Sequence, residues 1–184
     1  ALVVAGPGNN GADGMVVARY LHGAGVAVAV LLCAARQGLQ GDARTQLHLA
    51  EACGVVIHER AALDGTPQAA LDAAAPRGPL RAGDVLVDAL LGTGLGRPVR
   101  GPLADLIHAM NRSPALRVAV DVPSGLDADR GLPAGEHPHE AVDPPAIVRA
   151  AHTVTFGWAK LGMVSAPGCR FAGRVTVTDI GIPP

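Results

Sequence analysis

Three loops carry the residues whose types and spacing could do chemistry. Residues 6–14 read GPGNNGADG, residues 88–98 read DALLGTGLGRP, and residues 121–127 read DVPSGLD. Glycine-rich loops let backbone N–H groups approach an anion. Carboxamide, carboxylate and hydroxyl oxygens can hold a cation or move a proton. These loops are therefore the candidate site.

The first loop has the pattern of a phosphate-binding turn. Residues 6–11 follow the spacing GxGxxG, which brings a backbone close to a pyrophosphate when it lies between a strand and a helix. Asn9 and Asn10 add side-chain carbonyl oxygens that suit a hard cation or ligand hydroxyls. A purely structural interpretation stays open, in which Asn9 or Asn10 caps the helix and Asp13 complements its dipole.

The second loop begins with an aspartate at the end of a buried strand. Such a carboxylate must be paired, hydrogen-bonded or metal-bound, so Asp88 is a candidate ligand. Gly92, Gly94 and Gly96 could form an anion nest, and Arg97 offers a fork suited to phosphate. A flexible loop with Asp88 capping the next turn is the alternative.

The third loop repeats the strand-end aspartate. Asp121 follows an apolar run, Pro123 stiffens the turn and Ser124 offers an oxygen. An Asx-turn without chemistry is the simpler interpretation. Two aspartates at one edge repel each other, however, and a cation between Asp88 and Asp121 would relieve that repulsion.

The elements that must position these loops alternate along the chain. Apolar runs predict strands at residues 2–5, 26–32, 55–57, 85–88, 117–120, 153–156 and 175–177. Helical periodicity predicts helices at residues 11–24, 42–53, around 69 and 103–110. Repeated βα units imply a doubly wound α/β sandwich, in which the carboxyl ends of the strands share one edge. The three loops should therefore converge there.

Composition narrows the function classes. The 184 residues suit one domain, and 49% hydrophobic with 2% aromatic residues favours an aliphatic core. A net charge of −1 gives no reason to expect nucleic acid or an anionic membrane as partner. No spanning segment or signal peptide is visible, so we expect a cytoplasmic protein without membrane contact. We expect Cys33, Cys53 and Cys169 to be ordinary buried thiols.

The three loops together resemble the YjeF N-terminal domain family, the NAD(P)H-hydrate epimerases. The family patterns GPGNNGGDG, D-A-[LI]-[LF]-G-T-G-L and D-[IV]-P-S-G-L occur in order, with Ala12 in place of the second glycine of the first. The ending also matches, through TVTF at 153–156, KLG at 160–162, GRV at 173–175 and DIGIP at 179–183. The resemblance runs from Leu2 to Pro183, and four motifs in register make it specific.

The resemblance implies a fold and an activity. The fold would be a three-layer αβα Rossmann-like sandwich with a mostly parallel sheet, strand order beginning 3-2-1-4-5. Residues 1–184 would form one such domain, without the helical region that usually precedes it. The enzyme would interconvert the S and R epimers of hydrated NADH and NADPH (NADHX and NADPHX) at C6. The enzyme would form a homodimer. A fused or separate ADP- or ATP-dependent dehydratase would be its partner.

The resemblance also implies roles for particular residues. Asp121 would touch the nicotinamide end and is our candidate for proton transfer. Potassium would be held by Asn10, Asp88 and Ser124. The substrate-binding residues would be Asn9, Asn10, Gly11, Ala12, Asp13, Gly92, Thr93, Gly94, Leu95, Gly96, Arg97, Pro98 and Asp121.

Other interpretations remain open. Relatives of the domain serve as non-catalytic scaffolds, which is the main alternative. A standard NAD oxidoreductase is disfavoured, because residues 30–36 (VLLCAAR) lack the acid that binds the ribose. His137, His139 and Glu140 could bind a metal, although a solvated surface loop over residues 131–145 is favoured. Lys160 could reach an anionic ligand or be a plain surface lysine.

Overall fold

The sheet has seven strands, all parallel, in the part of the chain that the structure describes. The structure is a computed structural model that describes residues 1–63, 65–135 and 145–181. The strands are β1 (Leu2–Ala5), β2 (Ala29–Leu32), β3 (Val56–Glu59), β4 (Val85–Ala89), β5 (Leu116–Val120), β6 (His152–Phe156) and β7 (Arg174–Thr178). The helices are α1 (Asn9–Gly23), α2 (Gly41–Ala52), α3 (Pro67–Ala74), α4 (Pro102–Arg112), α5 (Leu161–Val164) and α6 (Cys169–Ala172).

Strand order reverses beside β1. The order across the sheet is β3-β2-β1-β4-β5-β6-β7, so β1 lies between β2 and β4. In the register, Val4 is the partner of Leu31 on one side and of Asp88 on the other. The expected beginning 3-2-1-4-5 is confirmed. Ligands of open parallel sheets bind where the order reverses, outside the carboxyl ends of the strands.

Helices cover both faces of the sheet, which confirms the three-layer αβα sandwich. Successive strand residues point to opposite faces, so the strands contribute side chains to a hydrophobic core on each face of the sheet. The first core packs α1 and α2 on the sheet and includes Val3, Ala5, Met15, Ala18, Val30, Leu32, Leu47, Ala50 and Val87. The second packs α3 and α4 on the other face and includes Leu2, Val4, Leu31, Leu71, Leu86, Ile107 and Met110.

Glycines allow α1 to lie close to the sheet. A Cβ on Gly6 would overlap the backbone carbonyl of Leu90, and one on Gly14 would overlap the side chain of Ala89. The turn after β1 and the second turn of α1 therefore press against the end of β4. This close packing brings the first loop to the second.

Several details differ from the sequence-based expectations. Strand β2 begins at Ala29 rather than at Val26, which is exposed. The short helices α5 and α6 were not predicted. Cys33 is half-buried, whereas Cys53 and Cys169 are exposed. The prediction of three buried thiols was therefore wrong. The last two lie at helix termini, Cys53 as the C-cap of α2 and Cys169 at the start of α6.

The segment expected as a surface loop at 131–145 packs closely at its start. Gly131 and Ala134 are buried, and a Cβ on Gly131 would meet the carbonyl oxygen of Gly162. His137, His139 and Glu140 lie outside the described residues. No helix in the described ranges combines the length and the apolar character needed to cross a membrane.

Two glycines of α1 allow a matched test of this packing. We expect Gly14→Ala to lower the free energy of unfolding by about 1–3 kcal/mol, because the added methyl overlaps Ala89 and Val3. Gly23→Ala, at the exposed end of the same helix, meets nothing within 4 Å. It should be neutral or stabilising by roughly a few tenths of a kcal/mol. Urea unfolding followed by circular dichroism measures both, and equal effects would contradict the close approach.

Candidate active site

One cavity at the carboxyl edge of the sheet collects the predicted loops. Its volume is about 580 Å³. It lies outside the ends of β1, β4 and β5, as the topology predicts. Its lining residues are Pro7, Gly8, Asn9, Asn10, Asp13, Leu90, Leu91, Gly92, Thr93, Gly94, Leu95 and Asp121.

The N-terminus of α1 forms one wall of the cavity. Gly8 is the N-cap, and no side chain caps the helix there. The interpretation of Asn9 or Asn10 as a capping residue is therefore wrong, since both are already helical. The first N–H groups of a helix have no intrahelical acceptors and, with the helix dipole, favour an anion. Ala12 is helical and buried, so its methyl causes no backbone strain.

A buried carboxylate joins the second loop to the third. Asp88 is fully buried at the end of β4. The Ser124 hydroxyl donates to its Oδ1 at 2.6 Å, and the Ser124 backbone N–H donates to Oδ2 at 2.8 Å. Leu90 N–H also donates to Oδ1 at 3.3 Å, and Leu91 N–H donates to the Ser124 hydroxyl oxygen at 2.8 Å. The loop after β4 is thus tied to the loop after β5.

Burial dominates the protonation of this carboxyl. Removal from water raises the pKa of Asp88 to about 6, although the hydrogen bonds from Ser124 and Leu90 favour the ionised form. The carboxylate has no cationic side chain among its partners in the described residues. Its charge near neutral pH is balanced by N–H and O–H dipoles alone.

Leu91 connects Asn10 to the Asp88–Ser124 pair. Its Nδ2 donates to the carbonyl of Leu91 at 2.8 Å. Its Oδ1 is buried and has no hydrogen-bond partner in the described residues. A buried amide oxygen without a partner, at the start of a helix that Leu91 joins to the Asp88–Ser124 pair, fits a cation that prefers oxygen ligands. In residues 1–63, 65–135 and 145–181, no group of three or more His, Cys, Asp or Glu side chains could hold a metal.

Asp121 has an unusual backbone conformation and a lysine partner. Its φ is 65°, the one positive φ of a non-glycine residue in the described ranges. Lys160 Nζ lies 2.5 Å from its Oδ1, and the side chains are only 18% (Asp121) and 21% (Lys160) exposed. Thr155 Oγ1 and Phe156 N–H donate to the same oxygen at 3.0 and 3.2 Å.

These contacts hold Oδ1 of Asp121 in place and leave its Oδ2 without a hydrogen bond in the described residues. Lys160 also donates to Thr155 Oγ1 at 2.7 Å and to the Phe156 carbonyl at 2.9 Å, so the ammonium group is fully occupied. No hydrogen bond from the described part of the chain reaches Oδ2 of Asp121. Lys160 is therefore a partner of Asp121 rather than a plain surface lysine. The KLG motif after β6 was a signal for it, whereas Thr155 had none beyond its place in a strand.

Asp13 is a second carboxyl group on the cavity wall. It is half-buried in the second turn of α1 and lines the cavity together with Asp121. Burial raises the pKa of Asp13, and the nearby charges of Asp121 and Asp42 raise it further. Among the described residues no hydrogen bond or ion pair reaches its side chain.

Some predicted residues lie off the cavity wall. Gly11 is buried beneath the wall, against the backbone of Gly6. Arg97 and Pro98 pack instead against the backbone of Gly135. The predicted substrate-binding residues that do not line the cavity are Gly11, Ala12, Gly96, Arg97 and Pro98.

Fold and site together define the class of protein. An all-parallel, doubly wound sheet with a glycine loop and a helix N-terminus at the strand reversal is a Rossmann-like α/β protein. A family model described as YjeF-related protein N-terminus matches residues 1–162. The chain belongs to this family.

Curated relatives cover nearly the whole chain. An NAD(P)H-hydrate epimerase of Rhodopirellula baltica is 40% identical over 99% of the chain and 66% of its own length. One of Oenococcus oeni is 41% identical over 98% of the chain and 74% of its own length. A bifunctional NAD(P)H-hydrate repair enzyme of Moorella thermoacetica is 38% identical, and the chain spans 31% of it.

A solved structure has the same fold. The crystal structure of yeast ynu0 superposes with a TM-score of 0.67 at 24% identity, over 100% of this chain and 67% of that one. At this identity the likeness concerns the fold alone. It supports the α/β fold described above.

The Asp88–Ser124 contact gives a pH-dependent prediction. Below about pH 4, Asp88 is protonated in folded and unfolded chains, whereas above about pH 6 it is ionised in both. The Ser124 hydrogen bonds favour the ionised form. Ser124→Ala should therefore cost about 1–3 kcal/mol of unfolding free energy at pH 8 and less at pH 5.

Ser165→Ala is the matched control for this measurement. Ser165 donates only to the carbonyl of Leu161 in its own short helix, at 2.7 Å, near solvent. Its replacement should cost less than about 0.5 kcal/mol at either pH. A cost of Ser124→Ala that is the same at pH 5 and pH 8 would contradict the buried hydrogen bond to an ionised Asp88.

Proposed function

We propose that this chain epimerises hydrated NADH and NADPH, interconverting their S and R forms at C6. The observation that carries the proposal is the cavity that unites a helix N-terminus, a glycine loop and the Asp121–Lys160 pair. The names of the relatives at about 40% identity support it. A scaffold would need neither a strained, ion-paired Asp121 nor an unpartnered carboxyl beside it.

The walls of the cavity suit the parts of a dinucleotide. The first turn of α1 and the loop at 92–95 present backbone N–H groups, which favour a pyrophosphate. Asp121 follows β5, lines the same cavity and would contact the nicotinamide end. Asn9 and Thr93 offer polar side chains for hydroxyl groups along the ligand. Arg97 would need a movement of its loop to take part.

The chemistry at C6 requires a proton-transfer group. The C6 hydroxyl is on a carbon bonded to the ring nitrogen, whose lone pair helps the hydroxyl to leave once it is protonated. The planar iminium that results takes water on either face. A carboxyl group beside C6 that gives or takes one of these protons provides general acid–base catalysis worth roughly 10²–10⁴-fold. Asp121, with Oδ1 fixed and Oδ2 unoccupied, is our candidate for that group.

Potassium is the cofactor that we propose for this site. Asn10, Asp88 and Ser124 would hold it, with the orphaned Oδ1 of Asn10 as the observation in its favour. When bound, the ion would supply positive charge that offsets Asp88. Asp88 and Ser124 would continue to join the loops after β4 and β5, and Asn10 would continue to anchor α1.

The setting of the activity is also part of the proposal. Bifunctional repair enzymes are among the relatives, and the chain spans about a third of their length. We propose that a dehydratase, fused or separate, consumes the S epimer. We further propose that the protein is a homodimer and acts in the cytoplasm.

An epimerisation assay tests the activity. We expect the chain, with potassium present, to accelerate conversion of an (R)-NADHX-enriched mixture toward the S form, followed by chromatography. Asp121→Asn should lower kcat by about 10²–10⁴-fold. Asparagine tolerates the positive φ of this position, so the backbone should be kept.

Asp129→Asn serves as the control, because Asp129 is exposed and is not one of the residues that line the cavity. It should keep the rate of the unsubstituted chain. Full activity of Asp121→Asn would remove Asp121 from the proton-transfer role. Substrate binding without any acceleration would instead favour the scaffold alternative.

Thermal unfolding tests the proposed potassium site without an activity readout. At equal ionic strength, the melting temperature should be higher in KCl than in choline chloride. A potassium concentration of 100 times the Kd corresponds to about 2.7 kcal/mol of added unfolding free energy. Asn10→Ala should abolish the difference, whereas Asn9→Ala, at an exposed neighbouring position, should keep it. Identical unfolding in both salts would contradict the site.

A further inference from the structure

Two carboxyl groups line the same cavity in opposite surroundings. Asp121 follows β5 and is held by Lys160, Thr155 and Phe156, all on one oxygen. Asp13 is on α1 and accepts no hydrogen bond from the described residues. Helix α1 also contacts β5, so the two groups face one space from different elements. One carboxyl therefore has a cation to balance its charge, and the other has none.

The proposed epimerisation involves two proton transfers, which two separate groups can carry out. Epimerisation at C6 removes a hydroxyl from one face of the ring and adds water to the other. The departing oxygen needs a proton, and the arriving water must lose one. A single carboxyl fixed by three donors cannot reach both faces without breaking those contacts, whereas groups on two separate elements can.

We propose that Asp13 and Asp121 divide the proton transfers, with Asp13 as the acid for the departing hydroxyl and Asp121 as the base for the arriving water. The inference rests on the proposed epimerase activity and adds a catalytic role for Asp13. It also makes Lys160 and Thr155 positioning residues that hold the Oδ1 atom of Asp121 in place.

The atoms balance in two steps. The Asp13 carboxyl gives its proton to the C6 hydroxyl, the C6–O bond breaks with its electron pair on oxygen, and water leaves as the ring nitrogen forms the iminium. A water molecule then bonds to C6 on the other face, its proton goes to Asp121, and the electron pair returns to nitrogen. Exchange with solvent, to which the cavity is open, returns a proton to Asp13 and removes one from Asp121.

The charges around Asp13 are consistent with this division. Burial and the negative charges of Asp121, after β5, and Asp42, in the first turn of α2, raise the pKa of Asp13. The Lys160 ammonium is already bound by Asp121 and two oxygens. Asp13 thus keeps its proton to higher pH than a free carboxyl. Two carboxyl groups in different surroundings on one cavity wall are typical of acid–base pairs.

The pH dependence of kcat tests the division. For the unsubstituted chain we expect kcat to fall at high pH, because the Asp13 acid loses its proton there. Asp13→Asn should lower kcat by about 10²–10⁴-fold and abolish the fall at high pH, with KM changed less than about threefold. If Asp13 only bound the substrate, Asp13→Asn would raise KM and leave kcat and its fall at high pH unchanged.

Asp42→Asn gives a second measurement that leaves the cavity wall intact. Loss of this exposed negative charge should move the high-pH limb to lower pH and leave the maximal rate unchanged. Suppose that the unsubstituted chain epimerises the substrate. An unaltered high-pH fall of kcat in Asp13→Asn, or an unmoved one in Asp42→Asn, would then overturn the division of roles but not the proposed function. Absence of acceleration by the unsubstituted chain would overturn it together with the proposed function.

Discussion

The buried carboxylate of Asp88 is the interaction on which the edge of the sheet depends. It accepts hydrogen bonds from the hydroxyl and the N–H of Ser124 and from Leu90 N–H. A buried carboxylate that lost these donors would bear its full desolvation penalty, so the loops after β4 and β5 are constrained to meet it. Leu91 links the same cluster to Asn10 of α1. Three loops far apart in sequence are thereby held at one place.

Close backbone packing and side-chain hydrogen bonding act together here. Gly6 and Gly14 let the first loop and α1 lie against the end of β4, which leaves room for Asn10 to reach Leu91. Larger residues would push α1 outward by more than a hydrogen bond tolerates. The strain of Asp121, with its φ of 65°, is compensated by contacts to β6 and Lys160. Such strain is found where a side chain must be held for function.

The three aspartates of the site have three different environments. Asp88 is surrounded by dipoles, Asp121 is paired with an ammonium group, and Asp13 has neither. Like charges close together repel each other, and here the three carboxyl groups are separated by their different partners. Within the proposed function, this separation lets one edge of a sheet hold a cation and carry out acid–base chemistry. In this proposal the same residue type serves as a structural tie, a base and an acid.

The sequence alone determined the alternation of strands and helices, the strand order through the resemblance, and the three loops at one edge. The alternation and the loops follow from local periodicity and glycine spacing, which neighbouring residues encode, whereas the strand order was implied by the family resemblance alone. Only the tertiary structure decided that Lys160 pairs with Asp121, 39 residues away, and that Asn10 Oδ1 has no partner while Asp13 stands unpaired. It also decided that Cys53 and Cys169 are exposed. Such facts depend on which strands are neighbours and where each side chain ends, and no local pattern records either.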